Sequence, residues 1–216
     1  MTMTENPTIV RLPVNEEFAL VSDEHAVDRA AAGLRLHGFD ARIVPDGAAA
    51  RELLLSLIPD GAEVGEGASA TIDQIGATEV VEQSGRFNAV RPRTRAMDRA
   101  TQMNEIRKLS AAPDVQINSV QAVTEDGRMV LASFSGSQIG PIASGAGRVI
   151  LVVGAQKIVP DLATAFRRVE EYNYPIVDVR TQEAIGIRSA VNKMLVYNGD
   201  FPGRTTVILV REALGV

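Results

Sequence analysis

The chain has 216 residues, 45% hydrophobic and 23% charged, enough for one good-sized core and nearer to one domain than two. It lacks cysteine and tryptophan and has only His25 and His37, which excludes a disulfide framework, a thiolate-bound zinc or iron–sulfur site and a multi-histidine metal site. A net charge of −5 argues against nucleic acid, no apolar stretch nears the roughly 18 residues of a membrane span, and MTMTENPTIV lacks a signal-peptide pattern, so a cytoplasmic location is expected.

Residues 1–12 are polar and without pattern, which predicts a flexible arm ahead of a single folded unit over 13–216. From Asp23 a helical period begins, with Val27, Ala31 and Leu34 on one face. Gly38 follows as its C-terminal stop, and Ala41–Val44 reads as a strand. A second helix over Gly47–Leu57 stops ahead of Pro59. AEVGEG is then a short strand ending in glycines, with a helix over about Ala70–Gln83. This alternation predicts a largely parallel sheet with helices packed on it.

Residues 86–110 hold seven of the 22 basic residues, Arg86, Arg91, Arg93, Arg95, Arg99, Arg107 and Lys108, against Asp98 and Glu105. Ala100, Met103 and Ile106 supply a weak apolar stripe, so the segment reads as a helix with a solvated basic face, or as an anion-attracting rim to a cleft. Two β-rich runs, Val115–Val123 and Met129–Ser133, flank Glu125-Asp126-Gly127-Arg128, a hairpin signal. The sheet is therefore expected to be mixed, mainly parallel with helices on both faces and an antiparallel hairpin. A glycine–serine loop leads into the apolar run Val149–Val153. Leu162, Ala165, Phe166 and Val169 mark the next helix, and GRTTVILV is a strand covered on both faces.

Four loops carry candidate chemistry. In VGEGASATIDQIG, Gly65 and Gly67 permit close approach, while Ser69 or Thr71 either caps the helix that follows or contacts a ligand. The loop lacks the lysine and spacing of a Walker A motif. At the bend Thr124–Gly127, Glu125 is either a solvated turn residue or a general base or nucleophile. In SGSQIG, Ser135, Ser137 and Gln138 offer hydroxyl and amide groups around Gly136. Lys157 follows Gly154 beyond a strand's carboxyl end, where open α/β sheets hold ligands and a point charge suits a phosphate or carboxylate. No Ser-His-Asp arrangement is present, and both histidines lie on the first helix, away from these loops.

In order and spacing, GASATIDQIG, NSVQAVTEDG, SGSQIGPIASGAGRVILVVGAQKIVPDL and GRTTVILVREALG resemble the LUD-domain family, named for lactate utilisation, and within it the lactate-utilisation protein C group. The resemblance spans roughly residues 20–215, its most specific pieces being TEDG at 124–127 and VGAQKIVPDL at 153–162. It implies a NagB/RpiA/CoA-transferase-like fold and a role in oxidising L-lactate or a related organic acid beside iron–sulfur partner proteins. Cofactors are left unassigned, and a homo-oligomer is left open. On this reading a small anionic metabolite sits over Gly65–Thr71, Thr124–Gly127, Ser135–Gln138 and Lys157, with Glu125 as base or nucleophile and Lys157 as the anion contact. Two other readings stand beside it: a non-catalytic subunit docking to an iron–sulfur partner through the basic segment, and a sugar-phosphate isomerase or CoA-transferase type of enzyme.

Overall fold

The structure, a computed structural model, describes residues 9–216, so the first eight residues of the expected arm lie outside it. Of the remainder of that arm, Val10 is held by Gln182, which accepts from its N–H at 2.9 Å and donates to its carbonyl at 2.8 Å.

Helix α1 (Glu24–Leu36) starts where Asp23 caps it, the carboxylate accepting from Ala26 N–H at 2.9 Å. It stops at Gly38, whose φ of 86° turns the chain into β1 (Asp40–Val44). Asp46 caps α2 (Gly47–Leu57) in the same way. β2 (Glu63–Glu66) follows. The single helix expected over 70–83 is two, α3 (Ala70–Gln74) and α4 (Ala77–Gln83), because Gly76 takes a left-handed φ of 70° between them. The expected basic helix is likewise divided, into β3 (Asn88–Ala89), α5 (Val90–Arg95) and α6 (Met103–Ala111).

The run Val115–Val123 is not one strand. β4 (Val115–Asn118) and β5 (Ala122–Thr124) belong to different sheets, and Ser119–Gln121 carries the chain between them. Asn118 Oδ1 accepts from Ser119 N–H at 2.9 Å, a local bond that competes with the ladder and turns the backbone. β6 (Met129–Ser133), β7 (Arg148–Gly154) and β8 (Ile158–Val159) come next. α7 (Leu162–Arg168) then runs through a wide π turn at Val169–Asn173 into α8 (Tyr174–Ile185). β9 (Lys193–Tyr197) and β10 (Thr205–Val210) complete the chain.

Six strands form one sheet in the order β1-β10-β7-β4-β2-β3, every pairing parallel. The expected antiparallel hairpin, β5–β6, lies in a second sheet of order β8-β5-β6-β9. On one face of the large sheet, Val149, Leu151 and Val153 of β7 and Val207 and Leu209 of β10 pack against α1 and the small sheet. On the other, Ile150, Val152, Ile208 and Val210 pack against α2, α3 and α4. Burial on both faces is why these strands read as unbroken apolar runs. α7 covers the outer face of the small sheet through Ala165 and Val169. No described helix is long and apolar enough to cross a membrane.

Candidate functional site

All six strands of the large sheet end at one edge because all are parallel. At that edge the chain leaves β2 toward β3 on one side, and from β4 it crosses into the second sheet before re-entering this one as β7 on the other. The two outgoing loops therefore separate, and a crevice opens at the carboxyl ends of β2 and β4, the place where open α/β sheets bind ligands. A cavity of about 390 Å³ lies there. Ser69 and Thr71 line it from the loop and helix after β2, Ser119 and Gln121 from the crossing after β4, and Lys157 from the turn after β7. The π turn brings in Asn173, and α8 closes the outer wall with Val177, Arg180 and Thr181. The volume is that of a small metabolite site, its wall divided between apolar side chains and neutral polar groups.

Lys157 is 2% exposed. Its Nζ donates to Thr71 Oγ1 at 2.8 Å and to Ser119 Oγ at 3.0 Å, and no carboxylate lies within ion-pair distance among the described residues. Burial pushes the Lys157 amine well below the ordinary lysine range, and the Arg168 guanidinium pushes it the same way. Arg168 is itself fully buried, with no carboxylate within ion-pair distance among the described residues. It donates to the backbone carbonyls of Gln156, at 3.2 Å, and Gln121, and stands 5.0 Å from the centre of the Tyr172 ring. Burial lowers its guanidinium to about 10. Arg168 is a standing cation behind the wall, and a bound anion would balance its field and that of Lys157 when the amine is protonated.

A second charged cluster stands beside the same crevice. Glu66, at the end of β2, is buried, and its Oε2 has no partner. Its Oε1 accepts from Arg91 Nη1 at 2.9 Å. Thr78 Oγ1 lies 2.7 Å from Glu66 Oε1 and 2.6 Å from Asp73 Oδ1, and Asp73 lines the cavity. One hydroxyl has one proton, so both contacts are hydrogen bonds only when one carboxyl brings a proton of its own. Burial raises Glu66, while the Thr78 hydroxyl and the Arg91 guanidinium pull the other way. No group of three or more His, Asp or Glu able to hold a metal occurs among the described residues.

Of the residues expected from sequence, Ser69, Thr71, Gln138 and Lys157 line the cavity together. Ser69 is also the cap of α3, so its two candidate roles coexist. Gly67 adjoins the cavity, where a Cβ would come within 2.9 Å of Asn118 and 3.1 Å of Gln138. Gly65 serves packing, since its missing side chain leaves room for Gln116 and Pro113. Ser135 and Ser137 are exposed and bonded to each other at 3.1 Å, and Gly136 packs on the Lys193 side chain. These three residues do not line the cavity.

The hairpin bend does not converge on the site either. Thr124, Glu125 and Gly127 lie at the opposite end of β5 from Gln121 and pack against α1. Glu125 Oε2 accepts from Arg29 Nε at 2.6 Å, and His37 Nδ1 is 3.1 Å from the Gly127 carbonyl. Asn118, Ser119, Asn173, Arg180 and Glu66 were not anticipated. Polar Asn118-Ser119 closing an apolar strand was the one local signal, while nothing in the sequence around Arg180 marks it. In the basic segment, Arg86, Arg91, Arg93 and Arg95 are paired with Asp60, Glu66, Glu63 and Glu82, leaving Arg99, Arg107 and Lys108 without such partners among the described residues.

Comparison with the curated proteins finds no match. Among solved structures, the chain is similar to a DUF162-family protein from Deinococcus radiodurans, determined at 1.70 Å, with a TM-score of 0.53 and 14% identity. The alignment covers 88% of this chain and 99% of that one, which establishes a shared fold. The family model for the LUD domain matches residues 27–210, from the first helix to the last strand and across every loop of the crevice. The chain belongs to the LUD-domain family.

Proposed function

We propose that the cavity binds a small organic anion, a carboxylate or phosphate ester, and that the chain serves organic-acid utilisation, with L-lactate metabolism foremost. The observation that carries this is Lys157, a buried amine on the cavity wall with two hydroxyl partners and, among the described residues, no carboxylate within ion-pair distance. Without a counter-ion burial disfavours the charge on this amine, and an incoming anion supplies the partner that favours it. Arg168 behind the wall and Arg180 at the rim add the same sign of charge. Thr71, Ser119, Asn118 and Gln138 supply the neutral groups that orient the bound molecule.

Glu125 has no part in this assignment, because its carboxylate is engaged by Arg29 at the opposite end of β5 from the cavity. Docking of an iron–sulfur partner through residues 86–108 draws less support, since four of that segment's seven cations are already neutralised in cis.

The test is a thermal-shift panel of lactate, pyruvate, sugar phosphates, CoA esters, folates and nucleotides, with every hit repeated on Lys157→Ala. A ligand at a hundred times its Kd adds about 2.7 kcal/mol of stability. A shift with an organic acid that disappears in the variant supports the reading, and a preference for sugar phosphates or CoA esters moves the chain to isomerase or transferase chemistry. Silence across the panel sinks the anion site.

A further inference from the structure

Resting on the anion-site reading, we propose that Lys157 is an imine-forming amine, and that the cavity takes a small carboxylic acid carrying an aldehyde or ketone. The first argument is a count of donors. An ammonium has three N–H groups, whereas a neutral amine has two and one lone pair. Among the described residues Nζ finds two acceptors, Thr71 Oγ1 and Ser119 Oγ. A neutral amine in this place has both N–H bonds directed at hydroxyls and its lone pair left over for the cavity that Lys157 lines. An ammonium would leave one N–H unpaired in a residue only 2% exposed.

The second argument is the surroundings. A lysine becomes a nucleophile when it is desolvated or set beside another cation, and both conditions hold here. Thr71 is itself fixed, its hydroxyl reaching the Leu214 carbonyl at 3.3 Å. The turn bearing Lys157 is held by Arg168, which binds the preceding carbonyl. The amine is thus held in place by its neighbours.

The step balances without a further reagent. The Nζ lone pair forms a bond to the carbonyl carbon while the C=O π electrons move to oxygen. After proton transfer from nitrogen, the carbinolamine C–O bond breaks and oxygen leaves as water with both amine protons. The product is C=N, and one proton from solvent makes it an iminium. That cation lies beside the substrate's own carboxylate, for which Arg180 is the exposed guanidinium lining the cavity. The substrate class is set by these two demands, an electrophilic carbonyl at Nζ and an anionic group within reach of Arg180.

The full-length protein is incubated at neutral pH with pyruvate or glyoxylate and a borohydride reductant, then mapped by peptide mass spectrometry. The chain has three lysines, and the exposed Lys108 and Lys193 act as controls within the same folded molecule. The expected result is a reduced adduct on Lys157 forming roughly tenfold or more faster than on the other two. Arg180→Ala should slow that labelling by glyoxylate while leaving labelling by neutral propionaldehyde unchanged. No adduct on Lys157, or labelling that follows exposure, overturns the proposal. A thermal shift with these acids in the absence of an adduct overturns the imine but keeps the anion site, and the absence of both overturns both.

Discussion

Gly33 in the middle of α1 and Gly127 in the turn between β5 and β6 meet backbone to backbone. A Cβ on Gly127 would lie 2.1 Å from Gly33 C, and one on Gly33 would lie 2.4 Å from Asp126 C. The hairpin bend is thereby seated on α1, where Arg29 and His37 hold its two sides. Gly33→Ala gains about 1 kcal/mol of helix propensity. It should nevertheless destabilise the protein by about 2 kcal/mol or more, because neither backbone can retreat. Urea denaturation of the variant beside Gly140→Ala, where a Cβ meets nothing within 4 Å, separates the two effects.

Glu125 follows the bend and leaves the cavity with it. Glu125→Gln should therefore leave every ligand-induced thermal shift as it is in the wild type, since the pair it breaks is partly exposed and remote from Lys157. Loss of the shift in this variant would return Glu125 to the site.

Lys157 links stability to pH. Its folded pKa lies below the unfolded value, so between the two the unfolded chain binds the extra proton. Stability should accordingly rise with pH across that window, up to about pH 10, the unfolded lysine value. Lys157→Met keeps the volume and removes the titrating group, so the alkaline rise should flatten in the variant. Denaturation midpoints measured from neutral pH upward give the two slopes directly.

Glu66 has the opposite sign. Its folded pKa is raised by burial, so its favourable contribution is present below the unfolded carboxylate value and is lost as pH climbs through the folded one. Glu66→Gln imitates the protonated carboxyl at every pH. Relative to wild type, the variant should be more stable at about pH 7 than at about pH 4. An equal difference at both pH values would overturn the raised folded value of Glu66.

Much of the secondary structure was legible in the sequence because it is local. Asp23 and Asp46 cap, Gly38 stops, and the alternation of faces in Val149–Val153 and Val207–Val210 follows from their burial on both sides. Of the expected ligand residues, Ser69, Thr71 and Lys157 line one cavity because parallel strands place the loops that follow them at one edge, and Gln138 joins them from the loop after β6 of the second sheet. What the sequence left undecided depends on long-range register. The break at Ser119 sends β5 into a second sheet, and this carries the bend with Glu125 to α1 instead of to the crevice. The cavity's outer wall, α8 with Arg180, has no clear apolar stripe to announce it, for it is held by its π turn, by buried Asp178 and by the N-terminal segment at Val10. Periodicity reports which face of an element is buried; which elements share a cavity is decided only when distant segments close on one another, and there Lys157 acquires two hydroxyls and no counter-ion.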